Sequence, residues 1–118
     1  MNIEEFREYC LTKPGTTEEL PFDEDTLVFK VAGKMYALCS ISEFNGGITL
    51  KCEPALAIEL RELYDQVQPG YHMSKIHWIT VLPEAGIPND LLVTWIDNSY
   101  ALVAGKLPKN QRQALGLL

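Results

Sequence analysis

The sequence has no C-x-x-C pair, no apolar run long enough to cross a bilayer, only two histidines and no glycine-rich phosphate loop. Each absence removes a class of function. The three cysteines, Cys10, Cys39 and Cys52, are an odd number, and each lies among apolar neighbours in a helix or strand pattern. They read as buried thiols of a reducing compartment rather than as a disulfide framework or redox centre. A spanning helix needs about 20 consecutive apolar residues, and Met1-Asn2-Ile3-Glu4-Glu5 lacks the basic-then-apolar order of a secretory signal. A cytoplasmic protein with no membrane partner is therefore expected. "FNGGI" has neither the spacing nor the Lys-Ser/Thr ending of a nucleotide cradle. His72 and His77 have no Cys or acid between them to complete a metal set, and spacing identifies no nucleophile or carboxylate partner for either, which leaves a minor catalytic alternative only if Asp23, Glu24 or Asp25 folds back onto the loop. The chain reads as a binding protein and not an enzyme, with no metal and no cofactor.

Positive charge is also scarce: ten Lys and Arg stand against sixteen Asp and Glu, a formal net charge of -6. The imbalance is local. Residues 1–25 hold eight acids against Arg7 and Lys13, whereas the remaining residues hold eight of each sign. An acidic chain is repelled on average by nucleic acid, so binding to it must use a basic face turned away from the N-terminal segment.

What is present is the material of one domain over residues 1–118, with 47% hydrophobic residues and no repeats or linkers. Ile3, Phe6, Tyr9 and Cys10 recur at helical spacing behind Asn2, a good N-cap, and Pro14-Gly15 ends that helix. "TTEELPFDEDT" reads as an acidic surface connection. "TLVFKVAGKMYALCSI" holds two β-rich runs around Gly33-Lys34, which suits a type II′ turn. That register sets Val31 against Tyr36 and Phe29 against Leu38, and turns Leu27, Phe29, Val31, Tyr36 and Leu38 to the core. Val28, Lys30, Ala32, Met35 and Ala37 then point the other way. A strand in "ITLKC" follows Gly46-Gly47, and Pro54 opens a helix with Leu56, Leu60 and Leu63 on one face. A short strand near Val67 and another in "HWITVL" come next. Leu92, Ile96, Ser99, Tyr100 and Val103 mark a helix ending at Gly105, and Pro108 opens a last short one. The order predicts an α+β fold, an antiparallel sheet with helices on one face. The other face is expected to be partly open and to carry Lys30 and Lys51, with Lys34 at the hairpin tip.

"GYHMSKIHW", residues 70 to 78, gathers both histidines and one of the two tryptophans. Tyr71 and Trp78 offer flat faces for stacking, and His72, Lys75 and His77 offer donors to phosphate. The competing structural role is a packed Trp78 with histidines capping backbone groups. Lys106, Lys109 and Arg112 form a second basic cluster, of the kind that commonly solvates a helix end.

Taken together, "PFDEDTLVFKVAGKMYAL", "LKCEPALAIELRELY", "PGYHMSKIHW" and "DNSYALVAGKLPK" resemble the MmcQ/YjbR family of small bacterial proteins nearly end to end. The resemblance implies a secretion-chaperone-like order, α-β-β-β-α-β-β-α, and DNA binding through a double wing of sheet and hairpins. Lys30, Lys34 and Lys75 to Trp78 fall at positions that would belong to it. The family's loop reads roughly H-M-N-K-K/R-H-W-N-T, whereas here Ser74, Ile76 and Ile79 stand at three of its polar positions, at the cost of one positive charge. The expected function is weak, largely non-specific contact with DNA phosphates through Lys30, Lys34, Lys51, Tyr71, His72, Lys75, His77 and Trp78, by a chain most simply monomeric. The alternative is an adaptor that binds a protein or peptide on an open sheet face carrying Val28, Met35 and Ala37.

Overall fold

The computed structural model describes residues 1–70, 73–83 and 86–117. Helix α1 (Ile3–Leu11) begins where the sequence places it. The Asn2 side chain accepts from the Glu5 amide at 2.8 Å, and the Glu5 carboxylate accepts from the Asn2 amide at 3.1 Å. This reciprocal cap satisfies two amides at the helix start. The inner face of α1 buries Phe6 and Cys10.

The acidic segment after Gly15 is not only a connection. Thr16–Glu19 form strand β1, antiparallel to β2 (Thr26–Val31). An edge strand has one neighbour and can do without apolar side chains, so hydrophobic periodicity gives it no signal. Backbone pairing with β2 holds it, and charge adds to this: Glu18 takes a two-pronged contact from Arg7 at 2.6 and 2.5 Å, and Glu19 pairs with Lys30 at 3.3 Å. These acids also blunt the exposed edge against pairing with another chain.

Strand β3 (Lys34–Ser40) follows β2, and a short 3-10 turn, Phe44–Gly46, leads into β4 (Ile48–Lys51). Helix α2 (Pro54–Leu63) precedes β5 (Val67–Pro69) and β6 (Trp78–Val81). Helix α3 (Asn89–Ala104) and the short α4 (Lys109–Ala114) complete the order. The six strands form one antiparallel sheet in the order β1-β2-β3-β4-β6-β5. Compared with the order expected from resemblance, the chain has one more strand, β1, and one more short helix.

The β2–β3 hairpin differs from the sequence reading in two linked ways. Val31 pairs with Lys34, so the turn residues are Ala32 and Gly33, and both have positive φ (49° and 77°). That is the type I′ pattern, whose twist matches the flanking strands. The register then shifts: Lys30 pairs with Met35 but Phe29 with Ala37, which leaves Tyr36 as an extra residue on β3. The bulge breaks strict alternation. Tyr36 and Ala37 are both fully buried, whereas Leu38, expected in the core, is only half-buried and lies opposite Val28 and Thr49 on the second face.

Helix α3 closes the gap the bulge creates. The β3–β4 ladder runs from Cys39↔Ile48 to Ala37↔Leu50 and goes no further. At that point the Ser99 hydroxyl donates to the Tyr36 carbonyl and accepts from the Lys51 amide at 2.9 Å. A serine on an otherwise apolar helix face thus takes the place of a ladder bond. Its neighbour Tyr100 meets the Tyr36 ring edge to face at 5.2 Å and donates to the Pro14 carbonyl. The Tyr36 hydroxyl lies 2.8 Å from Thr16 Oγ1 and donates to the Cys10 carbonyl at 3.2 Å.

The helix side of the sheet holds a continuous core in which Phe29, Ile48, Leu50, Ile79, Leu92 and Ile96 are essentially inaccessible. The second face is not a bare apolar surface either. Val28, Thr49, Thr80 and Trp78 are buried there, with the Thr49 and Thr80 hydroxyls 3.0 Å apart. Of the three apolar residues expected to form an open adaptor face, Val28 and Ala37 are fully buried, Ala37 on the core side, and Met35 is half-buried.

Two stability outcomes follow from this geometry. Ala32→Asn, which creates the Asn-Gly pair that type I′ turns favour, should raise the urea midpoint, and Gly33→Val should lower stability by about 1 kcal/mol or more. A lowered midpoint with Ala32→Asn would restore the Gly33-Lys34 turn, whereas Gly33→Val destabilises under either turn because both need positive φ at Gly33. Ser99→Ala leaves a carbonyl and an amide without their partner and should cost about 1–3 kcal/mol in the same measurement; no change would mean that the hydroxyl is dispensable to the sheet.

Candidate functional site: a lysine basin at one end of the sheet

The topology separates charge along the strands. β2 starts immediately after Asp23-Glu24-Asp25, and β3 ends close to Glu43. The Asp23 carboxylate accepts from the Asp25 and Thr26 amides at 2.8 and 2.6 Å, and the Asp25 carboxylate accepts from Ser40 Oγ at 2.5 Å and the Ser42 amide at 2.8 Å. These bonds hold both carboxyls below the usual aspartate range, Asp23 mainly through the Asp25 amide and Asp25 mainly through the Ser40 hydroxyl. This end of the sheet therefore stays negative.

The opposite end is positive. Lys34 opens β3, Lys51 closes β4 beside Trp78 at the start of β6, and Lys106 follows the last turn of α3. They converge on a basin of about 340 Å³ lined by Lys34, Met35, Lys51, Trp78, Val103, Lys106 and Leu107, with no acid among these residues. Among the described residues none of the three lysines forms a salt bridge, whereas Arg7, Lys13 and Lys30 are each paired with a carboxylate. Lys51 Nζ stands 6.0 Å from the centre of the Trp78 ring, near the outer limit of cation–π attraction. Lys51 is half-buried and Lys34 and Lys106 are exposed, so the basin is open to a ligand at its rim.

The residues expected to contact DNA are thus divided. Lys34, Lys51 and Trp78 come together. Lys30 lies on the second face as the alternation requires, but Glu19 neutralises it. Trp78 is only 8% exposed and serves as the basin floor, not as a free stacking platform. Lys75 and His77 are exposed in a turn in which the Ser74 carbonyl accepts from the His77 and Trp78 amides. The same turn is fastened to the domain through its backbone: Arg61 donates to the Lys75 carbonyl at 3.1 Å and the Cys52 amide donates to the His77 carbonyl at 2.8 Å. Tyr71 and His72 lie outside the described residues. Lys106 was readable only as a solvated helix end, because its neighbours in the basin are distant in the chain.

Among the other concavities that adjoin the sheet are two with partly apolar walls. One of about 270 Å³ lies between the start of α2 and α3, lined by Lys51, Cys52, Glu53, Leu56, Ile79, Trp95, Asn98, Ala101 and Leu102. The other is a groove of about 520 Å³ on the second face, between Phe22 and Met73, with Leu38, Thr49 and Thr80 in its lining and Asp23 and Glu43 at the acidic end. Phe22 is 63% exposed there.

Comparison with known proteins agrees with the architecture. A model of the YjbR family matches residues 11–102. The chain is 31% identical over 115 residues to the uncharacterized protein YjbR of Escherichia coli K12, covering 98% of both chains. It is 37% identical over 93 residues to the uncharacterized protein YbdF of Escherichia coli O157:H7, covering 79% of this chain and 76% of that one. Among solved structures, the Deinococcus radiodurans protein DR2400, described as a DUF419 domain, superposes with a TM-score of 0.91 at 37% identity over 99% of this chain and 89% of its own. A Pseudomonas syringae protein superposes with a TM-score of 0.75 at 32% identity, over 87% of this chain and 99% of its own.

The cysteines stand apart from the basin chemistry. Cys10, Cys39 and Cys52 are all buried and free. Burial pushes the Cys10 and Cys39 thiols up to about 12 and the Cys52 thiol up to about 11. Since the thiolate is the reactive form, a thiol reagent at neutral pH should label the native protein slowly and all three cysteines readily in urea. Rapid native labelling of any one would overturn the structural assignment of that thiol.

Proposed function

This chain belongs to the YjbR family, and we propose that it binds the phosphate backbone of DNA through Lys34, Lys51 and Lys106. One observation carries the reading: three lysines that form no salt bridge among the described residues converge on a basin with no acid among its described lining residues, at the end of the sheet opposite the acidic cluster. An acidic domain can approach a polyanion only in such an orientation, with its negative end turned away. Lysine supplies point charges to phosphate without reading sequence, so the interaction is weak and non-specific. Trp78 fixes the floor on which Lys51 rests. The function is binding rather than chemical transformation.

The acidic groove between Phe22 and Met73 favours a second reading, an adaptor for a protein segment that carries basic and apolar residues. The exposed Phe22 and the Asp23 and Glu43 side chains are what such a segment would meet.

Fluorescence anisotropy with a labelled duplex, taken across salt concentrations, tests the leading reading. Three phosphate contacts should give a plot of log K against log salt with a slope of about -2.7, and a dissociation constant on the order of 10⁻⁴ to 10⁻⁶ M at physiological salt. Replacing Lys34 and Lys106 together by Met should reduce the magnitude of the slope by about two, whereas Lys30→Met should leave it unchanged. No binding at low salt, or an equal loss with Lys30→Met, would reject the basin and leave the adaptor.

A further inference from the structure

The lysine basin has a neighbour with a different character. The 270 Å³ pocket beside it is walled by Leu56, Ile79, Trp95 and Leu102, and Lys51 lines both cavities. Trp95 is buried to 6% exposure and held edge to face by Tyr64 at 5.4 Å, so this wall is fixed before any ligand arrives. Asn98 and Glu53 are exposed and line the same pocket. A carboxamide both donates and accepts, and a carboxylate accepts, so together they can meet the mixed polar edge of a planar heterocycle.

We propose that this pocket holds the unpaired base of a nucleotide whose phosphate occupies the lysine basin. The inference rests on the phosphate-binding reading and adds what lies next to the phosphate. Three observations fit that ligand. Leu102, in the pocket, lies in the last turn of α3, Lys106, in the basin, lies just past its end, and Lys51 borders both, so the two sites adjoin. That adjacency suits the single sugar that separates base from phosphate. The apolar walls accept the faces of a base, whereas its edge requires polar groups, and the pocket supplies both. Glu53 repels a phosphate from the pocket, while Lys34 and Lys106 attract it to the other side of Lys51, so charge fixes the ligand's direction.

A base paired in a duplex cannot enter, so the site distinguishes unpaired nucleotides from double helix. Anisotropy at one fixed low salt should therefore rank three labelled strands of equal length. An intact single strand should bind about tenfold tighter than the same strand made abasic, as one stacked base would give, and the duplex should resemble the abasic strand. Ala101→Phe, at an exposed pocket-lining position of α3, should abolish the tenfold preference and leave abasic and duplex binding unchanged. Asn98→Phe, also exposed, serves as a second block if the first variant is unstable. Competition by adenosine monophosphate against ribose 5-phosphate distinguishes the source: a gain for the free nucleotide assigns the site to mononucleotides, and a gain confined to the strand assigns it to single-stranded nucleic acid. Equal affinity of the parent for base-bearing and base-free ligands in both arms would overturn the base pocket while leaving the basin intact. Failure of every phosphate ligand to bind would overturn the basin itself.

Discussion

The Ser99 hydroxyl is the interaction on which the arrangement of this protein turns. A bulge at Tyr36 places two consecutive β3 side chains in the core, but it also pulls a carbonyl out of the ladder. A buried carbonyl without a partner is costly, and here a helix pays the debt: Ser99 bridges Tyr36 to the Lys51 amide. Because one hydroxyl spans two strands and belongs to a helix, it fixes α3 against β3 and β4 together. Tyr36 and Tyr100 carry the same constraint outward, to Cys10 and Thr16 on one side and Pro14 on the other.

That constraint also builds the basin. Lys51 is the residue whose amide Ser99 holds, and Lys106 lies just beyond the end of the helix that Ser99 anchors. The bulge adds twist to the hairpin that carries Lys34. Three lysines from a hairpin, a strand end and a helix end are thus brought together by an interaction in which none of their charged groups takes part. Among the described residues no carboxylate lines the basin beside them. The same contrast distinguishes Lys30, whose charge Glu19 absorbs, from Lys34, whose charge remains available.

Much of the architecture was legible from local pattern. The capped α1, the Pro54 start of α2, the strand in "ITLKC", the strand in "HWITVL" and the long α3 all follow from periodicities of 3.6 or 2 bounded by Pro, Gly or Asn. The buried cysteines followed from their apolar neighbours. β1 was not legible, because its four residues are polar and its partners, the β2 backbone and the Arg7 and Lys30 side chains, belong to other elements. The "GYHMSKIHW" loop stands out by composition, yet among its described residues the side chain that lines the basin is the mostly buried Trp78, while the exposed Lys106 that completes the basin lies beyond the end of α3.

Local pattern suffices for the α+β class, the main helices and strands, the segregation of acid into the first 25 residues and the burial of the thiols, because these follow from neighbours within one helical turn or one strand. Tertiary structure alone decided that the turn falls at Ala32-Gly33, that Leu38 leaves the core and that Lys34, Lys51 and Lys106 meet. The reason lies in the bulge. Alternation along a strand predicts facing only while pairing remains in register, and whether it slips depends on a partner elsewhere that can satisfy the freed carbonyl. Here that partner is one serine on α3, whose place opposite β3 exists only once the chain has folded.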